Sequence, residues 1–169
     1  MRTKKQPEVL ELLYDFTEVY MPMIAGLSEN TIRSYKATFR LLLTFLNDSK
    51  DIAPERIAFC SLDYAMITSF LDWLESEQKC VVATRNVRLA ALSSFAAYAQ
   101  NRNSDAALIF LTNVKRVPAK KSASSPRVFF TKEEVSVFLR IPDMTSKMGY
   151  RDTVLLALMY ASGVRAQEV

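Results

Sequence analysis

The side chains best suited to chemistry in this sequence are lysines and arginines, and two groups of them fall on predicted helices. Arg33, Lys36 and Arg40 recur at steps of three and four, which places them on one side of a helix. Arg85 and Arg88 lie near the start of another helix, where the helix dipole also favours an anion. Bases in this arrangement can neutralise phosphates, so the pattern predicts contact with nucleic acid. An ordinary solvated helix surface is the alternative, and Arg88 falls on the apolar side of its helix, where a structural role is also open.

Hydroxyl side chains accompany both groups of bases. Thr31 and Ser34 belong to the first of these helices, and Thr84 and Ser94 belong to the second. Threonine and serine hydroxyls form hydrogen bonds with phosphate oxygens or base edges, so we expect them to add contacts on the same surfaces.

A third group of bases occupies the segment KRVPAKKSASSPR, residues 115–127, which contains two prolines and three serines. Its bases are Lys115, Arg116, Lys120, Lys121 and Arg127. Since no acid falls between Ala106 and Thr131, that stretch has a charge of +5, while the whole chain has +4. The composition predicts a flexible basic linker that can neutralise several phosphates. A solvated connector without a ligand is the alternative.

The last pattern is the sequence SGVRAQEV. Gly163 predicts the end of a helix, and Arg165 follows with Glu168 three residues further on. A carboxylate at that distance could hold the guanidinium so that it faces a phosphate. Pairs of this kind are common on protein surfaces, so a surface ion pair without a function is the alternative.

The composition excludes many other chemistries. The chain has no histidine and only three glycines, so it cannot form a Ser-His-Asp triad, an ordinary zinc-histidine site or a glycine-rich phosphate loop. We therefore expect neither a cofactor nor a metal. Cys60 and Cys80 show no pairing pattern and are interpreted as reduced thiols in a cytoplasmic, nucleoid-associated protein. The longest apolar run, Val154 to Ala161, is too short for a membrane span, so no membrane partner is expected.

Hydrophobic periodicity and capping residues predict an all-α chain in two parts. Helices are predicted at about 7–24, 29–47, 63–78, 83–101, 105–114, 131–141 and 150–161, with a short strand-like run at 128–130. The predicted caps are Ser28, Asp63 or Ser61, and Thr131 with Glu134.

On the fourth helix two faces are predicted. The inward-facing residues are expected to be Val87, Ala91, Phe95 and Tyr98, and the opposite, small face is expected to be Asn86, Ala90, Ser93 and Ala97. The boundaries that follow are a helical domain at 1–114, a linker at 115–127 and a second part at 128–169, which is too short to bury its own apolar helix.

Five stretches carry a resemblance to a known family, in order and spacing. They are SENTIRSYKATFRLLLTFL, ATRNVRLAALSSFAAYA, the basic linker, FFTKEEVSVFL and RDTVLLALMYASGVRAQEV. Together they resemble the tyrosine recombinases, the phage-integrase family of site-specific recombinases. Gly163, Arg165 and Glu168 match the family's Gly-x-Arg-x-x-Glu signature, whereas Ala166 and Gln167 depart from its usual residues. The resemblance implies a four- to five-helix SAM-like core-binding domain followed by the truncated start of a mainly helical catalytic domain.

The resemblance also implies a function. Such enzymes form a clamp around double-stranded DNA, and a tyrosine attacks the scissile phosphate to form a 3′-phosphotyrosyl intermediate during integration, excision or inversion. Arg165 would be the first of the family's transition-state arginines, and Glu168 would orient it. The other catalytic residues lie further along in the family, so we expect this chain alone to bind DNA without cleaving it. Two alternatives remain open: a helical protein-interaction module that does not bind DNA, and self-association through the C-terminal segment.

Overall fold

The computed structural model describes residues 9–103, 105–122, 129–166 and 168. These residues form helices and turns, with no strand among them, so the all-α prediction is confirmed. The chain divides into two compact units, residues 1–123 (unit 1) and 124–169 (unit 2). In the described part of the chain, every helix is too short or too polar to cross a bilayer.

Among its described residues, unit 1 contains five α-helices and two single turns of 3₁₀-helix, at Pro54–Arg56 and Phe59–Ser61. The α-helices are α1 (Val9–Asp15), α2 (Glu29–Lys50), α3 (Tyr64–Ser76), α4 (Val82–Asn103) and α5 (Asp105–Arg116). Helix α1 continues directly into a π-helical segment, Phe16–Ile24, whose wider hydrogen bonding accommodates Pro22. The helix predicted from residue 7 therefore exists as two joined parts, and Pro7 lies outside the described residues.

The predicted caps explain where α2 and α3 begin. The Ser28 hydroxyl accepts a hydrogen bond from the Thr31 backbone N–H at 3.3 Å, and the Asp63 carboxylate accepts one from the Met66 N–H at 2.7 Å. Both bonds satisfy amide donors that have no partner inside the first helical turn. At its other end α2 stops at Asp51, whose φ of 54° cannot continue a right-handed helix.

The core of unit 1 is built around aromatic rings. Phe95 of α4 contacts four other rings, with centroids 5.4 to 6.3 Å away, on the π-helical segment, α2, the second 3₁₀ turn and α5. Ala91, Phe95 and Tyr98 are buried as predicted, but Val87 is 45% exposed. Val87 lies on the same exposed side of α4 as Ala90 and Ser94, so the prediction for Val87 is wrong.

Unit 1 extends into the segment predicted as linker. Helix α5 continues through Arg116 because its apolar side, including Val114, remains buried up to that point. Val117 is also buried, at 6% exposed. The segment beyond Val114 is therefore part of the packed unit for several residues more than its composition indicates.

Unit 2 contains α6 (Lys132–Phe138) and α7 (Lys147–Ser162). The predicted capping box begins α6, because the Glu134 N–H bonds the Thr131 hydroxyl at 3.2 Å and the Glu134 carboxylate accepts from the Thr131 N–H at 2.7 Å. Gly163 ends α7 with a φ of +68°. Phe129 and Phe130 do not form the expected strand, and Val128 lies outside the described residues.

Candidate nucleic-acid interface

The three bases predicted on α2 lie along one open groove. Arg33, Lys36 and Arg40 line it together with the apolar side chains of Ile32 and Ala37 and the carboxylate of Glu29. Arg33 and Arg40 are exposed, while Lys36 is half-buried. The helical spacing in the sequence therefore predicts this cluster correctly, because all three side chains project from one helix.

Lys36 differs from its two neighbours because it has an acidic partner. Its ammonium group lies 2.8 Å from the Glu18 carboxylate of the π-helical segment. The hydrogen bond from Lys36 holds the pKa of Glu18 below its usual range and outweighs the opposing effect of burial. The excess positive charge of the groove therefore comes from Arg33 and Arg40, and Glu29 at the same groove offsets part of it.

Helix α4 packs against the other side of α2, and Arg88 joins the two helices. Its guanidinium donates to the Ser34 carbonyl at 2.7 Å and to the Thr38 hydroxyl at 3.0 Å. Thr38 is completely buried. A second connection joins the hydroxyls of Tyr35 and Ser94, 3.4 Å apart. These contacts support the structural alternative for Arg88, which fixes the position of α2 on α4.

The predicted hydroxyl contacts are less accessible than the bases. The Thr31 hydroxyl pairs with that of Ser28 at 3.0 Å, where it takes part in the start of α2. Ser34 and Thr84 are half-buried. Of the predicted hydroxyls, Ser94 is exposed and lies beside α2.

The exposed face of small residues on α4 is rotated about the helix axis from the predicted face. Ala90 is exposed as predicted, but its expected companions are half-buried, namely Asn86, Ser93 and Ala97. The exposed stripe is instead made of residues that also follow steps of four, three and four, namely Ala83, Val87, Ala90 and Ser94. The sequence contains this spacing too, but only the tertiary packing around α4, with α2 on Arg88 and the linker on Asn86, selects between the two faces.

The prediction that Arg85 contacts DNA is not supported by its position. Its side chain is 4% exposed, and its guanidinium donates to the Pro118 carbonyl at 3.0 Å and to the Asn86 side-chain oxygen at 3.2 Å. The segment that follows α5 packs over it, so the charge that the sequence places near a helix start is inside unit 1. We therefore replace the DNA role of Arg85 with a structural one.

The described bases of the linker do not lie together with the groove bases on one surface. The Arg116 guanidinium lies over the Tyr64 ring, 5.0 Å from its centroid, and Lys120 forms an ion pair with Glu75. Both contacts are with α3, whereas the groove is lined by residues of α2. Lys115 and Lys121 are exposed, and Arg127 lies outside the described residues. The structure thus gathers three of the predicted bases on α2 and places the described linker bases beside other helices.

Arg165 and Glu168 meet as predicted, within unit 2. The Arg165 guanidinium donates to Glu168 at 3.1 Å, and the Arg165 backbone N–H donates to the same carboxylate at 2.9 Å. The Arg165 side chain is 83% exposed. The carboxylate therefore orients an arginine whose charged end remains accessible to an anion.

Sequence reasoning missed one cluster beside α4. Tyr98 donates a short hydrogen bond to Asp15, and Arg102 lies 3.4 Å from the same carboxylate. Burial, followed by the bond to Asp15, raises the pKa of Tyr98 to about 12. A cavity of about 390 Å³ opens beside this cluster. Asp15 lies 83 positions before Tyr98 in the chain, so no local pattern indicates the contact.

Comparisons with known proteins agree with the architecture of unit 1. Residues 18–103, from the π-helical segment to the end of α4, match the N-terminal SAM-like domain of phage integrases. An integrase/recombinase of Sinorhizobium fredii, y4rC, is 34% identical over 142 residues, which cover 84% of this chain and 42% of that protein. A second from the same organism, y4rD, is 30% identical over 138 residues, covering 82% and 49%.

A more distant relative is the tyrosine recombinase XerC of Syntrophus aciditrophicus, 26% identical over 162 residues, which cover 94% of this chain and 50% of that protein. The chain spans about half the length of the curated relatives it matches. No solved structure matches it. With the helical architecture and the domain match together, the chain belongs to the tyrosine recombinase (phage integrase) family and carries the N-terminal SAM-like domain of that family.

Proposed function

We propose that unit 1 is the DNA-binding half of a site-specific recombinase and that the groove of α2 contacts the duplex. The observation that carries the proposal is the position of Arg33 and Arg40, both exposed along one groove of a helix within the family's SAM-like domain. In this reading the bases hold the phosphates, and the complete protein exchanges DNA strands through a phosphotyrosyl intermediate.

The dimensions of α2 suit this role. Arg33 and Arg40 are seven residues apart, about 10 Å along the helix axis, so they can reach successive phosphates on one side of a groove. A major groove about 12 Å wide admits one α-helix.

In unit 2, we propose that Arg165 binds the scissile phosphate and that Glu168 positions it. Their two hydrogen bonds support this assignment, because a guanidinium held from one side keeps its remaining donors free to orient toward an anion. The 169-residue chain is proposed not to cleave DNA by itself, since it has no histidine and since both Tyr150 and Tyr160 precede Arg165. A nicked substrate that traps covalent phosphotyrosyl complexes tests this, and any such complex would refute it.

The direct test of DNA binding is a pair of double variants with equal charge change. Arg33→Glu with Arg40→Glu should weaken binding of a fluorescently labelled random duplex by at least about tenfold at low salt, measured by anisotropy. The slope of log affinity against log salt should become shallower by about two, one for each lost phosphate contact.

The matched control reverses two exposed bases outside the groove, Arg56 and Lys79, to glutamate. It should lower the affinity by no more than about threefold, through net charge alone. If both double variants lose binding equally, the groove of α2 is not the site. If the unaltered chain fails to bind duplex at low salt, the DNA proposal as a whole is wrong.

A second candidate function rests on unit 2. Its large apolar side chains are exposed to an unusual extent, including Phe129, Phe130, Val137, Leu158 and Tyr160. An interaction module or a self-associating chain would use such a surface, and apolar association persists at high salt whereas phosphate binding does not. Light scattering in high salt, on the chain with and without residues 128–169, tests self-association. A monomer in both measurements excludes it.

A further inference from the structure

We infer that Arg85 and Asn86 form a latch that fastens residues 117–120 to unit 1 and so sets the point from which the connection to unit 2 runs. The latch itself is a property of unit 1, while its consequence for a DNA clamp rests on the proposed function. The two residues are thus positioning residues that act through the linker.

The first part of the latch is an amide pair. The Asn86 side-chain NH₂ donates to the Lys120 carbonyl at 2.7 Å, and the Lys120 backbone N–H donates to the Asn86 side-chain oxygen at 3.1 Å. Asn86 therefore satisfies both backbone groups of one linker residue, as a neighbouring strand would. The same oxygen also accepts from Arg85, so turning the carboxamide over would break all three bonds.

The second part is the buried arginine. Arg85 is 4% exposed, and its guanidinium donates to the Pro118 carbonyl at 3.0 Å. Within the described residues its Nε has no hydrogen-bond partner, so the Pro118 carbonyl is one of the few groups that compensate this buried charge. If the linker left, Arg85 would lose that acceptor, and an arginine without compensation in an interior is strongly unfavourable. The charge thus holds the segment in place.

Two further contacts complete the latch. Val117 is 6% exposed, which fixes the start of the segment by apolar burial, and Lys120 forms an ion pair with Glu75 of α3. Burial, backbone hydrogen bonds and an ion pair thus hold three of the four residues from 117 to 120, namely Val117, Pro118 and Lys120. A solvated linker would leave these groups to water.

The consequence is a shorter connection between the units. An extended chain spans at most about 3.3 to 3.6 Å per residue, so fastening residues 117–120 removes about 13 Å from the reach of the linker. In a clamp, this limits how far the second unit can move from the helices that hold the duplex. The composition of residues 115–127 indicates a freer strap than the contacts allow.

Amide hydrogen exchange tests the latch on the full chain without DNA. In the unaltered protein the Lys120 amide should exchange at least about tenfold more slowly than an unprotected peptide amide. Asn86→Ala should return that rate to within about threefold of the unprotected value. If the Lys120 amide is already unprotected in the unaltered protein, or remains protected in Asn86→Ala, the latch does not exist.

Matched variants separate release of the linker from unfolding. Gln100→Ala, at an exposed position of the same helix, should leave the Lys120 rate unchanged. The buried Leu92 amide should keep its protection in every variant, and its loss in Asn86→Ala alone would show that Asn86 supports the helix rather than the linker. Asn86→Asp retains the acceptor and loses the donor, so its Lys120 rate should be intermediate, and a rate equal to that of Asn86→Ala would contradict the amide pair.

Duplex binding by the same variants distinguishes the latch from the proposed function. Asn86→Ala should bind random duplex with an unchanged salt slope, because Asn86 is neutral and the α2 groove is intact. Arg33→Glu with Arg40→Glu should lose binding and keep a protected Lys120 amide. Absent DNA binding with a protected amide would overturn the function alone, and normal binding with an unprotected amide would overturn the latch alone.

Discussion

The two units of this chain use the same local signals to form helices, but they differ in what covers the apolar sides of those helices. Helices α2 and α3 of unit 1 begin at capping residues of the same kinds as α6 of unit 2. Every buried hydrophobic side chain among the described residues nevertheless lies between Val9 and Val117. In unit 2 the only described residue that is buried is Gly149.

The difference teaches that helix formation and domain formation are separate steps. A cap decides where a helix begins, whereas the stability of a short helix in water comes mainly from packing of its apolar face. We therefore expect unit 1 to unfold cooperatively and the helices of unit 2 to contribute little to that transition. Trp73, the only tryptophan, lies in unit 1, so its fluorescence reports the unfolding of that unit by itself.

The largest expected effect comes from the aromatic core. Phe95→Ala should lower the free energy of unfolding of unit 1 by about 3 to 5 kcal/mol, because it opens a cavity among four contacting rings. Phe138→Ala, a residue of unit 2 that is 48% exposed, should change it by less than about 0.5 kcal/mol. Urea unfolding followed by Trp73 fluorescence measures both, and equal losses would show that the units fold as one.

The next effect is expected from the polar link between α2 and α4. Arg88→Met should cost unit 1 about 1 to 3 kcal/mol, because it removes both hydrogen bonds to α2. Arg151→Met is the matched change in unit 2, where the exposed arginine donates a hydrogen bond to its neighbour Asp152. It should lower the free energy of unfolding of unit 1 by less than about 0.5 kcal/mol. The same urea experiment applies, and an unaffected Arg88→Met would mean that apolar contacts alone hold the two helices.

A smaller effect is expected from removing one cap in each unit. Asp63→Ala should lower the stability of unit 1 by about 1 kcal/mol, because the Met66 N–H loses its acceptor. Thr131→Ala removes the same kind of bond from α6, so it should reduce the helical circular dichroism signal while leaving the Trp73 transition unchanged. A shift of the Trp73 transition by Thr131→Ala would contradict the independence of unit 1.

The smallest effects concern two carboxyl groups with lowered pKa values. The hydrogen bond from Lys36, across the fold, lowers the pKa of Glu18, and hydrogen bonds from Thr145, two residues away, lower the pKa of Asp143. Because each pKa is lower in the folded state, each contribution to stability is present above the unfolded pKa and disappears as the pH falls through the folded one. For the exposed Glu18 pair we expect less than about 1 kcal/mol.

An NMR titration of the carboxyl groups checks these values. Lys36→Met should return the pKa of Glu18 towards its ordinary range and leave Asp143 unchanged, whereas Thr145→Val should raise only the pKa of Asp143. In urea that unfolds unit 1, the lowered pKa of Glu18 should return to its ordinary range. The pKa of Asp143 should change only when the loop that contains Thr145 unfolds. A Glu18 shift that survives in Lys36→Met would mean that another group causes it.

The sequence by itself determined the helical architecture, the caps and the family. Ser28 and Thr131 act within three residues, so their roles follow from spacing alone, whereas the structure selects Asp63 over Ser61 as the cap of α3. The cluster of Arg33, Lys36 and Arg40 is predictable for the same reason, since one helix carries all three. Interactions over one helical turn need no knowledge of the remaining chain.

The tertiary structure alone determined whether each charged side chain is buried and which groups it contacts. Arg85 and Arg88 are three residues apart on one helix, yet the first is buried beneath the linker and the second joins α4 to α2. Their partners are 33 and 54 positions away, and burial of a charged group depends on what covers it. The same reason explains the linker, whose composition indicates a free strap while Val117, Pro118 and Lys120 are held by residues of distant helices.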